Sequence, residues 1–193
     1  MAAHVESRRD FDPVKRSQIR FSDDALATIK KLMSRYPEGK SKSAMLPVLH
    51  VAQAESEGWL SPETMDYVAE LMGLHPIEVF EVASFYSMYN LKPVGKCVLD
   101  VCRTSSCWTR GAEDIIEYIG KKLNIREGET TADGMFTLKA VECLGSCGTA
   151  PMLQCGAEYH ENLTEAKVDS LLERLRSENR QFSYTDLEYH NSK

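Results

Sequence analysis

The sequence has no long apolar run and no excess of positive charge. No segment of its 193 residues approaches the ~18 consecutive apolar residues of a membrane span. The first twenty residues are too polar and acidic for a secretory signal. Lys and Arg total 23 against 29 Asp and Glu, so the net charge is −6, which argues against a nucleic-acid or anionic-membrane surface. We expect a cytoplasmic chain with no direct membrane insertion, no nucleic-acid partner, and protein or small-molecule partners.

Nucleotide-binding and dithiol motifs are also missing. The glycines never form G-x-G-x-x-G or a Walker loop, so no nucleotide site is evident in this chain. No C-x-x-C occurs, which argues against a thioredoxin-type exchange activity. The five histidines are scattered, which argues against a Rieske-type centre with histidine ligands.

Cysteine is absent from the first half of the chain and concentrated in the second. The six cysteines are Cys97, Cys102, Cys107, Cys143, Cys147 and Cys155. Without an export signal, and with enough residues for a hydrophobic core, a disulfide framework is the weaker interpretation. Clustered thiolates favour a soft metal centre, either zinc or an iron–sulfur cluster.

The spacing separates four of these cysteines into two pairs. Cys102 and Cys107, the first pair, form C-x4-C, and Cys143 and Cys147, the second pair, form C-x3-C. Zinc knuckles favour spacers of about two to four residues, whereas iron–sulfur proteins also use four, so the spacing favours iron without deciding between the metals. Cys97 and Cys155 lie in predicted strands, where a free cysteine usually packs as a small hydrophobe.

Residues 21–90 predict a bundle of four short helices. Ser22 caps a first helix that should reach Tyr36 before Pro37, and a second should run from Ser43 to Glu57. Ser61-Pro62 and His75-Pro76 are start signals for the third and fourth helices. The predicted inner face of the fourth helix is Ile77, Phe80, Val82, Ala83 and Tyr86. Helix-spaced aromatics usually belong to a core, so we expect that location for Phe80, Phe85, Tyr86 and Tyr89, with a docking surface as the alternative.

Residues 94–177 predict an α/β domain resembling thioredoxin. The expected elements are a strand over 97–102, a helix over 108–123, a strand over 136–141, a hairpin turning at Gly156 and a last helix around 168–175. In thioredoxins the equivalent proline follows a cis peptide bond, whereas most X-Pro bonds are trans, so the analogy leaves the conformation before Pro151 open. Residues 1–20 are predicted to form an N-terminal arm and residues 178–193 a C-terminal tail.

Two sequence runs closely resemble a known family. They are EVFEVASFYSMYNLKPVGKCVLDVCRTSSC over 78–107 and ECLGSCGTAPMLQ over 142–154. Both resemble the 24-kDa [2Fe–2S] subunit family of respiratory complex I, which includes the small diaphorase subunits of NAD-reducing hydrogenases and formate dehydrogenases. The resemblance covers about residues 20–177.

The resemblance implies a fold, a cofactor and a function. It implies a helical bundle followed by a thioredoxin-like domain, with one [2Fe–2S] cluster held by Cys102, Cys107, Cys143 and Cys147. The chain would be an electron-transfer subunit of an NADH-oxidising complex, namely NADH:quinone oxidoreductase (complex I), with FMN and NAD on a larger partner subunit and attachment to the inner membrane only through the complex. The alternatives are a hydrogenase or formate dehydrogenase diaphorase subunit and, from another class, a zinc-stabilised interaction module.

A cluster with four thiolates carries a charge of about −2, which requires compensation in a folded domain. We expect it from a helix beginning just after Cys107, from Arg103 and Arg110, and from backbone N–H groups near Gly145 and Gly148.

Overall fold

The computed structural model describes residues 18–185, which divide into two compact units. One extends to Pro93 and the other begins at Val94. Residues 1–17 of the predicted arm and residues 186–193 of the predicted tail lie outside the described residues. Between residues 18 and 185, no helix is long and apolar enough to cross a membrane.

The described part of the first unit, residues 18–93, is called the helical unit below and contains four α-helices after Ser22 and one 3₁₀ turn. They are α1 (Asp23–Met33), the 3₁₀ turn (Ser41–Ala44), α2 (Met45–Glu55), α3 (Pro62–Met72) and α4 (Pro76–Phe85). The predicted caps are confirmed, because Ser22 accepts a hydrogen bond from the Ala25 N–H and Ser61 accepts one from the Thr64 N–H. Helix α1 ends at Met33 and does not reach Tyr36, contrary to the prediction. Tyr36 precedes Pro37, and the residue before a proline disfavours helical geometry.

The core of the helical unit is formed by fully buried aliphatic side chains. Its most enclosed members are Val48, Leu49, Ala52, Leu60, Val68 and Val79. The predicted inner face of α4 is wrong at Ile77 and Tyr86, which are exposed, because the helix buries the i, i+4 pair Val79 and Ala83 instead. Tyr89 is buried as predicted, whereas Phe85 is 79% exposed.

The second unit, called the α/β unit, contains a four-stranded sheet. Its strands are β1 (Cys97–Cys102), β2 (Phe136–Val141), β3 (Leu153–Cys155) and β4 (Glu158–His160), in the order β2-β1-β3-β4. Strands β1 and β2 are parallel, while β3 runs antiparallel to β1 and to β4. Its helices are α5 (Ser105–Trp108), α6 (Ala112–Leu123) and α7 (Glu165–Glu178). The predicted order of elements is confirmed.

The predicted helix over 108–123 is interrupted. Gly111 has a φ of +89°, a left-handed conformation that glycine adopts without steric cost, and it separates α5 from α6. The first helical turn therefore begins before Cys107 and contains it, and the long helix begins only at Ala112. The prediction that a long helix starts just after Cys107 is wrong.

Cys97 and Cys155 belong to the core of the α/β unit, as predicted. Their exposed fractions are 0% and 1%, and they pack with aliphatic side chains of the sheet. The hydrogen bond to Cys97 and burial raise the pKa of the Cys155 thiol, so this side chain stays protonated.

The described part of the predicted C-terminal tail packs on the α/β unit. Phe182 is buried in its core, and the Phe182 N–H donates to the Lys96 carbonyl at 2.9 Å. The Tyr184 hydroxyl donates to the buried carboxylate of Asp100 at 2.8 Å. Nothing in the polar composition of this segment indicated that packing.

Candidate metal centre

The two cysteine pairs lie in loops that leave the same edge of the sheet. Cys102 is the last residue of β1 and is paired with Val141, the last residue of β2. Parallel strands bring their carboxyl ends together, so the loops that follow β1 and β2 are neighbours. The second of these loops reaches Cys143 two residues after β2 ends.

The first pair is enclosed by protein. Cys102 and Cys107 are each 2% exposed, and they lie in a small apolar cluster with Ala112, Ala150 and Met152. Helix α5 turns the chain back after β1, with the Trp108 N–H donating to the Thr104 carbonyl at 2.9 Å. This turn places Cys107 beside Cys102.

The second pair is exposed on the neighbouring loop. Gly145 lies between Cys143 and Cys147. Its φ of +84° is in the left-handed region, which glycine adopts without steric cost. A short 3₁₀ turn over Cys147–Thr149 follows, and then the Ala150–Pro151 peptide bond, which is cis.

A side chain and several backbone groups connect the two loops. The Arg110 Nε–H donates to the Ala150 carbonyl at 2.8 Å, so this predicted cation holds the second loop against the first. The Leu144 N–H donates to the Cys102 sulfur, and the Met152 N–H donates to the Cys107 sulfur. The loops are therefore in direct contact around the first pair.

The pKa values of the two buried thiols are shifted in opposite directions from the ordinary value of a cysteine. Burial alone raises the pKa of Cys102, but hydrogen bonds from the Thr104 and Leu144 N–H groups and from the Cys107 thiol outweigh burial and lower it. Burial and the neighbouring Cys102 raise the pKa of Cys107 to about 11. The backbone donors thus stabilise negative charge on the Cys102 sulfur, which is the form that ligates a metal.

Arg103, which was expected to offset the charge of the cluster, has two carboxylate partners in the structure. Its guanidinium lies 3.3 Å from the Glu113 carboxylate and 3.2 Å from the Glu127 carboxylate. Two carboxylates thus offset its charge, so Arg103 joins the start of α6 to the following loop. The backbone donors that surround the sulfurs belong to Thr104, Leu144 and Met152. The Leu144 N–H, next to Gly145, agrees with the donors predicted near that glycine. Sequence reasoning missed Thr104 and Met152, because a backbone N–H leaves no mark in the side-chain pattern.

The donor set fits a two-iron cluster. Among residues 18–185, no three His, Cys, Asp or Glu side chains converge on a position for one metal ion. A [2Fe–2S] cluster has two protein ligands at each iron, which matches thiols arranged as two pairs on adjacent loops. Cys147 lies near enough to Cys107 for the charges of their thiolates to interact.

Comparisons with known proteins agree with this chemistry. The family model for thioredoxin-like [2Fe–2S] ferredoxins matches residues 29–176. The chain is 43% identical over 154 residues to a subunit of the NADH-quinone oxidoreductase of Rickettsia typhi, covering 80% of this chain and 91% of that protein. It is 37% identical over 177 residues to mitochondrial NADH dehydrogenase [ubiquinone] flavoprotein 2 of Dictyostelium discoideum, covering 92% of this chain and 70% of that protein.

A solved structure shows the same fold. The match is to an NAD⁺-reducing [NiFe]-hydrogenase in the air-oxidised state, with a TM-score of 0.60 and 20% identity over 70% of this chain. This chain spans only 23% of that hydrogenase chain, so the likeness concerns the fold alone. The comparisons confirm the predicted resemblance, the thioredoxin-like fold and the [2Fe–2S] cofactor. This chain therefore belongs to the thioredoxin-like [2Fe–2S] ferredoxin family.

Proposed function

We propose that the chain is an electron-transfer subunit of an NADH-oxidising complex of the NADH:quinone oxidoreductase type. In this proposal one [2Fe–2S] cluster is held by the matched cysteines, Cys102, Cys107, Cys143 and Cys147. The observation that carries the ligand set is the contact between the two cysteine loops at the carboxyl edge of β1 and β2. The names of the relatives support the parent complex.

The residues of this chain hold the cluster and stabilise its charge. When bound, the cluster accepts and releases one electron without breaking a bond. The N–H groups of Thr104, Leu144 and Met152 favour the more negative, reduced state because they donate to the sulfurs of the first pair. The exposed second pair lies on the open side of the centre, where an electron can pass to or from a partner.

The electron donor in this proposal is flavin on a larger partner subunit, which also binds NADH. The sequence offers no G-x-G-x-x-G or Walker loop, so the nucleotide chemistry belongs to another chain. We assign residues 21–90 to partner docking and residues 94–177 to the cluster domain. The chain would be cytoplasmic and peripheral to the inner membrane only through the assembled complex.

A second candidate is the small diaphorase subunit of an NAD-reducing hydrogenase. The shared fold with the hydrogenase chain favours it. Co-purification separates the two candidates when the tagged chain is isolated from its own cells. Complex I subunits and NADH-dependent quinone reduction support the first proposal, whereas hydrogenase subunits and hydrogen-dependent NAD⁺ reduction support the second.

Metal analysis of anaerobically purified chain tests the cluster itself. We expect about two iron ions and two acid-labile sulfides per chain, and an EPR signal that appears after dithionite. One zinc ion per chain without sulfide would instead show an interaction module stabilised by zinc. Reduction by NADH is expected only after the flavin-binding subunit is added.

A further inference from the structure

The second cysteine loop is fastened by the segment that joins β4 to α7. Two backbone hydrogen bonds connect them, from the Asn162 N–H to the Thr149 carbonyl at 2.7 Å and from the Leu163 N–H to the Pro151 carbonyl at 2.9 Å. Both bonds reach the end of the cysteine loop. The part that carries Cys143 and Cys147 is held by side chains.

Tyr159 holds the loop between the two cysteines. Its hydroxyl donates to the Leu144 carbonyl at 2.7 Å. The N–H of the same residue, Leu144, donates to the Cys102 sulfur. Leu144 is therefore fixed at both of its backbone polar groups. The next residue, Gly145, has a left-handed conformation and no side chain to resist rotation of the intervening peptide.

Glu161 holds the loop beside Cys147. Its carboxylate accepts hydrogen bonds from the hydroxyls of Ser146 and Thr149. These two hydroxyls lie on either side of Cys147 in the sequence. Hydrogen bonds to an ionised acceptor are stronger than those between neutral groups, so one carboxylate restrains both sides of the cysteine.

We infer that Tyr159 and Glu161 are positioning residues of the metal centre. They hold the second cysteine loop so that Leu144 keeps its N–H on the Cys102 sulfur and Cys147 keeps its position on the loop. This inference rests on the proposed ligand set. It assigns the two residues to retention of the cluster and to its reduction potential, because a lost N–H donor disfavours the reduced state.

The test compares Tyr159→Phe, Glu161→Ala and the double variant in the full chain. Tyr118→Phe is the matched control, since its hydroxyl donates to Asp169 at 2.8 Å on another face of the α/β unit. Each single variant is expected to lose iron to a chelator about 3–10-fold faster than the unmodified chain, which corresponds to one net hydrogen bond. The double variant is expected to lose iron faster still. Tyr159→Phe is also expected to lower the midpoint potential, measured by EPR-monitored titration, while Tyr118→Phe changes neither quantity.

Hydrogen exchange of the metal-free chain supplies an independent measurement. The Leu144 amide should exchange faster in Tyr159→Phe and at the unmodified rate in Tyr118→Phe. A cluster in the unmodified chain with identical iron loss, potential and exchange in the variants would overturn the positioning role alone. Absence of iron from the unmodified chain would instead overturn the proposed function.

Discussion

The helical unit and the α/β unit use their polar groups in opposite ways. In the helical unit, Gln53 accepts a hydrogen bond from the Asn90 N–H at 2.7 Å, and the Asn90 amide donates to the Gly58 carbonyl at 2.9 Å. These groups satisfy one another within the core. In the α/β unit, backbone N–H groups of Leu144 and Met152 point at sulfur. The second cysteine loop is held by the side chains of Arg110, Tyr159 and Glu161 and by two backbone hydrogen bonds to its carbonyls.

The largest expected effect is loss of the cluster, which should follow from a substitution in the α/β unit and not from one in the helical unit. Cys143→Ser should remove most of the bound iron, because the hydroxyl is a poor ligand for iron, yet leave the fold intact since this side chain is exposed. Leu49→Ala in the helical unit should leave the iron content unchanged. Iron analysis and the visible spectrum provide the measurement. Cys155→Ala serves as the cysteine control, and equal iron loss in both cysteine variants would contradict the ligand assignment.

Core truncation should affect both units by a similar amount. Leu49 and Leu99 are each 0% exposed, so replacing either by alanine should lower the free energy of unfolding by about 2–5 kcal/mol. Denaturant titration of metal-free protein measures this, because bound metal would stabilise only the folded α/β unit. Ile77→Ala, at an exposed position, is the control and should change little. A loss below about 1 kcal/mol at Leu49 or Leu99 would show that the site relaxes around the cavity.

Helix caps provide a finer comparison. The Ser61 hydroxyl accepts from the Thr64 N–H at 3.1 Å in the helical unit, and the Thr164 hydroxyl accepts from the Lys167 N–H at 3.3 Å in the α/β unit. Ser61→Ala and Thr164→Ala should each cost about 0.5–2 kcal/mol of unfolding free energy. Ser170→Ala, within α7, is the control and should stay within about 0.5 kcal/mol. If Ser170→Ala lowered the free energy of unfolding as much as the two cap variants, the loss would come from replacing a hydroxyl residue in general and not from the missing caps.

The smallest expected effect is a pH dependence shared by the units. Burial lowers the pKa of His50 in the helical unit and of His160 in the α/β unit below the ordinary 6.5. The unfolded chain then binds more protons than the folded one, so stability is lost as pH falls from 6.5 toward the folded pKa values. Denaturant titrations at about pH 7.5 and about pH 5.5 measure the loss, which His50→Gln and His160→Gln should each reduce. If both variants kept the pH dependence of the unmodified chain, the loss of stability could not be assigned to these two histidines.

Local chemistry made the helical unit largely predictable. Ser22, Ser61 and Gly73 mark helix ends because each satisfies backbone groups within a few residues in the sequence. Its inner faces were less predictable, since Ile77 and Val79 are equally apolar and only packing against other helices decides which is buried.

The sequence showed the two cysteine pairs but not the groups that surround them in the fold. The cysteine pairs were identified by spacing and resemblance, and their assignment as ligands remains a prediction. Arg103 seemed suited to the cluster because of its place in the sequence, yet Glu113 and Glu127 approach it only in the folded chain. Gly111 was a visible signal for the break between α5 and α6, but the apolar period around it favoured a continuous helix.

The pairing of Cys102 with Val141 has a consequence for the order of maturation. With the proposed ligands, neither loop alone carries four thiols, so a complete ligand set would exist only after β1 and β2 have found their register. Pairing of strands so distant in the sequence is a slow step of folding, because a long connection must first be closed. For a centre built this way, cluster insertion follows formation of the sheet, and the bound cluster then ties the two strand ends together. A chain with slipped strands would be left without iron, so cofactor content reports on correct folding.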